Sequence, residues 1–147
     1  MTIHQATLEH LDTLVALFDG YRQFYRQTSD KAASKAFLKA RLTNEEAFVF
    51  IARDENSAAA GFTLLYPMFS SVRQKRVYIL NDLFVHPDHR RKGVGALLLD
   101  RAVQFGKEQG AAGLQLETEV TNIKAQGLYE KEGWSRVEDE YFYTYDL

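Results

Sequence analysis

A strand that leads through a basic, glycine-containing loop into a helix constrains this chain more than any other feature. The segment RVYILNDLFV (76–85) is rich in apolar and β-branched residues and predicts a long central strand. It runs into HPDHRRKGVG (86–95), after which apolar residues recur at helical spacing as far as Gln109, and Gly110 predicts the helix stop. A further strand, GLQLETEV (113–120), follows. Strands joined by a helix in this way form a parallel pair with a right-handed crossover, so the unit predicts an α/β fold.

The remaining patterns predict a mixed sheet around this unit. Before it, they predict a short edge strand (2–6), a helix capped by Thr7 that reaches Tyr25, a second helix (30–42) and a hairpin around the turn DENS (54–57). After it, they predict a short helix ended by Gly133 and a last strand, YFYTYDL (141–147). No linker or repeat divides the 147 residues, so we expect a single domain spanning 1–147.

Composition excludes several classes of function. The absence of cysteine excludes a thiolate nucleophile and a cysteine metal site, and the four histidines show no metal-ligand spacing with carboxylates, so we expect no metal. A net charge of −2 argues against nucleic acid as a partner. No apolar run approaches the roughly 20 residues of a membrane helix, and no secretory signal begins the chain. We therefore expect a cytoplasmic protein without a membrane partner.

The basic loop has the chemistry of a phosphate-binding site. A helix N-terminus presents unpaired N–H groups and a partial positive charge, and here it is preceded by basic residues and glycines. The alternative interpretation is a solvated charge run whose glycines serve the turn. The spacing fits neither the nucleoside-triphosphate P-loop nor the Gly-x-Gly-x-x-Gly dinucleotide motif.

Two motifs resemble those of one family. RRKGVG (90–95) fits the Arg/Gln-x-x-Gly-x-Gly/Ala acetyl-coenzyme A loop of the GCN5-related N-acetyltransferases (GNAT superfamily), and it lies between a strand and a helix as it does there. NIKAQGLYEKEGW (122–134) resembles that family's Asn-x-x-Ala-x-x-Leu-Tyr-x-x-x-Gly-Phe/Trp/Tyr signature. The pattern is most similar to Hpa2-like and spermidine/spermine-type members. The resemblance implies a mixed α/β fold: a mostly antiparallel central sheet with splayed parallel strands 4 and 5, flanked by about four helices.

The resemblance also implies an acetyl-coenzyme A site, with coenzyme A as product. Backbone groups of Leu83, Phe84 and Val85 would bond the pantetheine arm like an added strand. Asn122 would reach the cofactor, and the alternative role of an N-cap is compatible with this one. The residues implied to hold the pyrophosphate are Arg90, Arg91, Lys92, Gly93, Val94, Gly95 and Ala96.

Catalysis in the family commonly uses a tyrosine at the position of Tyr129. A phenol, with a pKa of about 10, can protonate the departing thiolate. The alternative is a ring packed in the core. Attack requires a neutral amine, whose free pKa is about 10.4, so a base must take its proton. Related strands often carry Glu where this chain has Asn81, which cannot act as a base. Asp82 is therefore the candidate base, and Glu117 is a further candidate with the alternative of an outward-facing polar position.

The acceptor side is predicted from helix 1 and the strand before the loop. Tyr21 and Tyr25 lie on one aromatic stripe, which is either core or the wall of an acceptor cleft, where Asn81, Asp82 and Glu117 would also contact substrate. These features favour direct transfer, in a ternary complex, to a small amine, polyamine or amino acid rather than to a protein lysine. The alternative function is a non-catalytic sensor or scaffold that binds acyl-coenzyme A. The aromatic tail after Glu140 favours a homodimer.

Overall fold

The computed structural model describes residues 1–147 and divides them into two compact units, Met1–Glu117 and Thr118–Leu147. The smaller unit contains one helix, α4 (Ile123–Lys131). The larger unit contains, in chain order, β1 (Thr2–Gln5), a 3₁₀ turn (Leu8–His10), α1 (Leu11–Phe24), α2 (Lys31–Thr43), β2 (Phe48–Arg53), β3 (Ala59–Ser70), β4 (Lys75–Val85), a second 3₁₀ turn (Pro87–His89), α3 (Val94–Glu108) and β5 (Gly113–Gln115).

The five strands form one mixed sheet in the order β1-β2-β3-β4-β5. The pairs from β1 to β4 are antiparallel, and β4 pairs with β5 in parallel. This confirms the predicted fold class, including the hairpin around DENS and the parallel pair joined by α3. No helix has both the length and the apolar character that a bilayer crossing requires.

Different helices cover the two faces of the sheet. On one face, buried residues of α1 and α2 pack in a single core cluster with apolar side chains of β2, β3 and β4, among them Phe62 and Phe84. On the other face, Phe105 of α3 lies against three aromatic rings at centroid distances of 5.0–5.3 Å, those of Phe48, Phe50 and Tyr78. The two faces are called the α1 face and the α3 face below.

A β-bulge in β4 changes which face its side chains occupy. Leu64 of β3 is opposite Asp82, and Leu65 is opposite Leu80, so Asn81 is the extra residue. In a regular strand Tyr78 and Phe84 would share a face, because side chains alternate with period two. Tyr78 instead packs on the α3 face and Phe84 on the α1 face. The bulge thereby turns Asp82 onto the α1 face, beside α1.

Gly61 permits close contact between β3 and the end of β4. A Cβ at this position would lie 2.5 Å from the Phe84 carbonyl oxygen and 3.2 Å from the Val85 Cα. Both are backbone atoms that cannot rotate away, so Gly61→Ala must displace β4. We expect a loss of about 2–3 kcal/mol in the free energy of unfolding, measured by urea denaturation. A loss below about 0.5 kcal/mol would contradict this close packing.

The predicted last strand is wrong, and β5 is shorter than predicted. β5 ends at Gln115, and residues 135–147 form no helix or strand. The aromatic residues of the tail are 72–90% exposed: Tyr141, Phe142, Tyr143 and Tyr145. Alternation in sequence indicates compatibility with a strand, but a strand also needs a hydrogen-bonded partner, and no pairing includes this tail.

Candidate active site

The centre of the candidate site is the buried carboxyl group that the bulge turns towards α1. Asp82 is 2% exposed. Its Oδ1 accepts a hydrogen bond from the Asn81 amide Nδ2 (2.8 Å), and its main-chain oxygen accepts one from the Thr63 hydroxyl (2.9 Å). Its Oδ2 is buried without a hydrogen-bond partner. A buried carboxylate with one unsatisfied oxygen costs free energy, which is typical of a functional group rather than a structural one.

Burial raises the pKa of Asp82 to about 6, while the Asn81 amide and the Tyr21 hydroxyl act in the opposite direction. The carboxyl group is therefore ionised at neutral pH and basic enough to accept a proton. Asn81 does not act as the base, but its amide holds the carboxylate in place. This gives a physical role to the residue that departs from the family pattern.

Tyr66 was missed by sequence reasoning. It is half-buried on the α1 face, and burial, followed by the charge of Asp82, raises its pKa to about 12. It therefore stays protonated in the pH range in which Asp82 titrates. Thr63 was also missed. Both are single residues in an apolar strand, and only the register between β3 and β4 associates them with the bulge.

The aromatic stripe of α1 reaches the bulge. The Tyr21 hydroxyl donates to the Asn81 carbonyl oxygen (3.4 Å), and the Tyr25 ring lies edge-on to Tyr21 at 5.0 Å. Phe24 in turn lies edge-on to Tyr25 at 5.3 Å and is 56% exposed. The structure thus brings Tyr21 together with Asn81 and Asp82. Glu117 is exposed beyond the end of β5 and forms no hydrogen bond or ion pair.

One edge of β4 is free over its second half. β5 pairs with β4 only from Val77 to Ile79, so β4 has no partner on that edge from Leu80 to Val85. The His86 N–H donates to the Ala60 carbonyl of β3. Along an antiparallel strand, successive residues point their N–H and C=O groups to alternate edges. The N–H and C=O groups of Leu83 and Val85 therefore face the free edge, whereas those of Phe84 face β3.

The loop after β4 presents main-chain N–H groups at its end. The first bond of α3 runs from the Leu97 N–H to the Gly93 carbonyl, so the N–H groups of Val94, Gly95 and Ala96 have no acceptor within the helix. Gly93 has φ +78°, and nothing lies within 4 Å of the position of its missing Cβ. Open space and aligned N–H groups together form a surface that suits an anion.

The three basic side chains of the loop differ in their contacts. The Arg90 Nε donates to the Val85 carbonyl (3.1 Å), and its guanidinium lies 5.7 Å from the centre of the Phe24 ring. The Lys92 Nζ donates to the Asp88 carbonyl (2.9 Å). Arg91 is exposed with φ +61° and forms no hydrogen bond. Arg91 is therefore the cation of this loop that can turn to a ligand without breaking a bond.

A cavity of about 430 Å³ lies between α1 and the end of β4. Phe24 and Phe84 contribute apolar walls, and Lys31 and Arg90 contribute positive charge. Its one carboxylate, Asp19, already accepts hydrogen bonds from the Ser29 hydroxyl, the Asp30 N–H and the Gln23 amide, which together lower its pKa. The cavity therefore offers space and positive charge beside the loop.

The smaller unit carries the second motif on α4. The Asn122 Oδ1 accepts from the Ala125 N–H (3.2 Å), which confirms its N-cap role. The Tyr129 and Trp134 rings lie 6.4 Å apart, and the Trp134 N–H bonds to the Tyr129 carbonyl (3.0 Å). Gly133 has φ +89° just past the helix end, as its predicted role requires. The motif thus folds into a capped helix with an aromatic contact at its C-terminus.

Comparison with known proteins identifies the class that this fold and site define. Residues 13–134 match the model of the Acetyltransferase (GNAT) family. The chain belongs to this family and is an N-acetyltransferase, which confirms the resemblance drawn from its two motifs.

Its relatives agree with this assignment. The chain is 50% identical over 147 residues to the uncharacterized N-acetyltransferase YhfO of Bacillus subtilis, covering 100% of this chain and 97% of that protein. The crystal structure of a probable acetyltransferase matches with a TM-score of 0.94 at 42% identity, covering 100% of this chain and 98% of the other. AAC(6')-Iy, solved with the bisubstrate analogue CoA-S-monomethyl-acetylneamine, shares the fold at a TM-score of 0.82 and 22% identity, over 99% and 98% of the two chains.

Proposed function

We propose that this enzyme transfers the acetyl group of acetyl-coenzyme A to the primary amine of a small molecule by direct attack in a ternary complex. One observation carries the proposal: the free edge of β4 begins beside the buried Asp82 and ends at the loop that presents the N–H groups of α3. A base, an edge for an extended arm and an anion site thus follow one another along a single strand.

The chain's own groups fit the parts of acetyl-coenzyme A. The pyrophosphate would accept hydrogen bonds from the N–H groups of Val94, Gly95 and Ala96, with charge from Arg91. The amide-containing pantetheine arm would bond to Leu83 and Val85 as an added strand. Coenzyme A would leave as the product, and the proposal includes no metal.

Asp82 and Tyr129 would handle the two protons of the reaction. Asp82, ionised above its pKa of about 6, takes the proton of the incoming ammonium group. Tyr129 takes the role of general acid to the leaving thiolate because of its place in the family motif. Much of the acceleration would come from the orientation of both reactants.

The acceptor is proposed to be a small amine, polyamine or amino acid. Tyr21, Tyr25 and Phe24 offer aromatic surface for an alkylammonium group, and Asp82 offers one buried negative charge. The small, aromatic character of this wall supports a compact cation rather than an extended protein tail. The acetylneamine part of the analogue bound to AAC(6')-Iy is consistent with a polyamine in this fold.

Acceptor screening with detection of thiol release tests the proposed function. We expect coenzyme A to be released only when both acetyl-coenzyme A and a small primary amine are present. A control without amine measures hydrolysis of the thioester. Binding of acetyl-coenzyme A without transfer to any amine, amino acid or peptide would contradict the proposal and favour a sensor.

Gly93→Ala should weaken cofactor binding. A left-handed residue with a Cβ costs about 1 kcal/mol, and the new methyl group enters the open space beside the N–H groups of α3. We expect a rise of about tenfold in the Kd for coenzyme A, measured by calorimetry. Gly110→Ala is the matched control, because Gly110 has φ +66° and open space at the other end of α3. Equal weakening by both variants would contradict a local role for Gly93.

We also propose that residues 1–147 function as one N-acetyltransferase domain that forms a homodimer. The family match from 13 to 134 crosses the boundary between the two units, which supports a single domain. The exposed aromatic side chains of residues 141–145 support self-association. Sedimentation at micromolar concentration should give a dimer, and a monomer would contradict this part.

A further inference from the structure

The turn between β2 and β3 is organised by one carboxylate. Asp54 Oδ1 accepts the N–H groups of Asn56 and Ala58, both at 2.9 Å. The main chain adds bonds from the Asp54 N–H to the Ala58 carbonyl (2.9 Å) and from the Ser57 N–H to the Asp54 carbonyl (3.0 Å). The turn is therefore held by four hydrogen bonds, and none of them uses the second carboxylate oxygen of Asp54, Oδ2.

That second oxygen binds the loop that follows β4. The His89 Nε2 lies 2.9 Å from Asp54 Oδ2, and both side chains are largely buried, at 13% and 23% exposure. This hydrogen bond is the largest of the causes that lower the pKa of Asp54. His89 Nδ1 is buried without a partner. A carboxylate accepts only, so Nε2 carries the proton of this hydrogen bond.

The other side-chain hydrogen bonds of the loop stay within the loop or return to β4. Arg90 bonds to Val85, Lys92 to Asp88, and the Asp88 N–H donates to the His86 ring at 3.3 Å. The Asp54–His89 bond is different, because it joins the loop to a separate hairpin. His89 is the residue immediately before the RRKGVG motif, so the bond acts where the motif begins.

We propose that the Asp54–His89 pair positions the acetyl-coenzyme A loop and so sets the enzyme's affinity for this substrate; the inference rests on the proposed function above. The loop contains a non-glycine residue with positive φ, Arg91 at +61°, a conformation that a free chain seldom holds at such a residue. Without the bond, only a fraction of molecules would present the loop in its binding form, and the apparent Kd would rise in inverse proportion to that fraction. His89 is thus a positioning residue that acts through the loop.

His89→Ala should raise the KM for acetyl-coenzyme A about tenfold and change kcat less than about twofold, because the loop binds but does not react. His89→Gln should restore the KM to within about threefold, since its amide N–H can donate to Asp54 from a position close to that of Nε2. Asp54→Asn should raise the KM and move the ring proton of His89 to Nδ1, a change that ¹⁵N NMR of the imidazole detects. The ring signal reports on the pair whether or not substrate is present.

Glu55→Gln is the matched control. It removes the same charge from the same turn, and Glu55 is exposed and contacts neither the loop nor Asp54 through its side chain. Its KM should equal that of the wild type. A KM unchanged by both His89→Ala and Asp54→Asn, in a wild type that binds coenzyme A, would overturn the positioning role alone. A wild type that binds no coenzyme A would overturn the proposed function and this inference together. Thermal unfolding of each variant identifies any that fails to fold. If His89→Ala fails to fold, Asp54→Asn is compared with Glu55→Gln, and equal KM values for these two variants would overturn the positioning role.

Discussion

Tyr129→Phe is expected to lower kcat about 100-fold and to leave the KM for acetyl-coenzyme A within about threefold of the wild type. The substitution removes only the hydroxyl group. The ring contact with Trp134 and the main-chain bond at the end of α4 do not need it, so the local fold should persist. A loss in kcat alone is the signature of a group whose contribution is made in the transition state. Steady-state kinetics with both substrates varied gives the two constants.

Tyr143→Phe is the control for this variant. Tyr143 lies in the same unit and is 85% exposed. Phe keeps the aromatic ring on which the proposed self-association depends, so loss of the hydroxyl should change neither constant. An unchanged kcat in Tyr129→Phe would remove the proposed acid role. A raised KM with an unchanged kcat would instead give Tyr129 a part in binding.

Asp82→Asn is expected to lower kcat/KM for the amine about 100-fold and to abolish the part of the pH profile that Asp82 controls. In the wild type, activity should rise as the pH increases through about 6, because the carboxyl group must be ionised to accept a proton. An amide accepts no proton in this range. A pH–rate profile of both proteins measures the difference. Asp12→Asn, in an exposed ion pair with Lys35, should match the wild type.

The same substitution should make the protein more stable at high pH. Burial raises the pKa of Asp82 from 3.8 to about 6, so the folded state binds this proton more tightly than the unfolded state. The stabilising effect of the proton is complete below pH 3.8 and is lost as the pH rises through about 6, at a cost of roughly 3 kcal/mol. Asn carries no charge to bury, but its amide leaves polar groups unmatched, so we expect a net gain of about 1–2 kcal/mol at pH 8 and less at pH 4.

Opposite effects on activity and stability would distinguish a functional carboxylate from a structural one. A buried group retained for packing should lower both when it is replaced, whereas a catalytic group is held at the expense of stability. Urea denaturation of wild type and Asp82→Asn at the two pH values tests this. A variant that is less stable at pH 8 and retains full activity would contradict the role of Asp82.

Elements with strong local signals could be predicted from the sequence. The long run 76–85, the glycines of the loop and the helical periodicity to Gln109 each act over a few residues, and β4, the loop and α3 confirm them. Gly110 has the positive φ angle that its predicted role as a helix stop implies. The half of the candidate site that is proposed to bind an anion therefore depends on local features that the sequence displays.

The half that is proposed to be catalytic depends on the long-range register between strands, which the sequence does not display. The bulge at Asn81 arises where β3 and β4 pair, and without it alternation would leave Asp82 on the face of α3. Thr63 and Tyr66 join the site only through that pairing, and His89 meets Asp54 from 35 residues away. The prediction of a last strand was wrong for the same reason, because alternation in the sequence does not identify a partner strand.

Titration of ¹⁵N-labelled protein with acetyl-coenzyme A tests the central claim most directly, because it reports both binding and its location. The account predicts saturable shifts of the amide signals of Leu83 and Val85 at the free edge and of Val94, Gly95 and Ala96 at the start of α3. In Gly93→Ala, the same shifts should need a higher concentration of acetyl-coenzyme A to saturate. An absence of saturable shifts, or shifts that avoid both the edge and the loop, would contradict it.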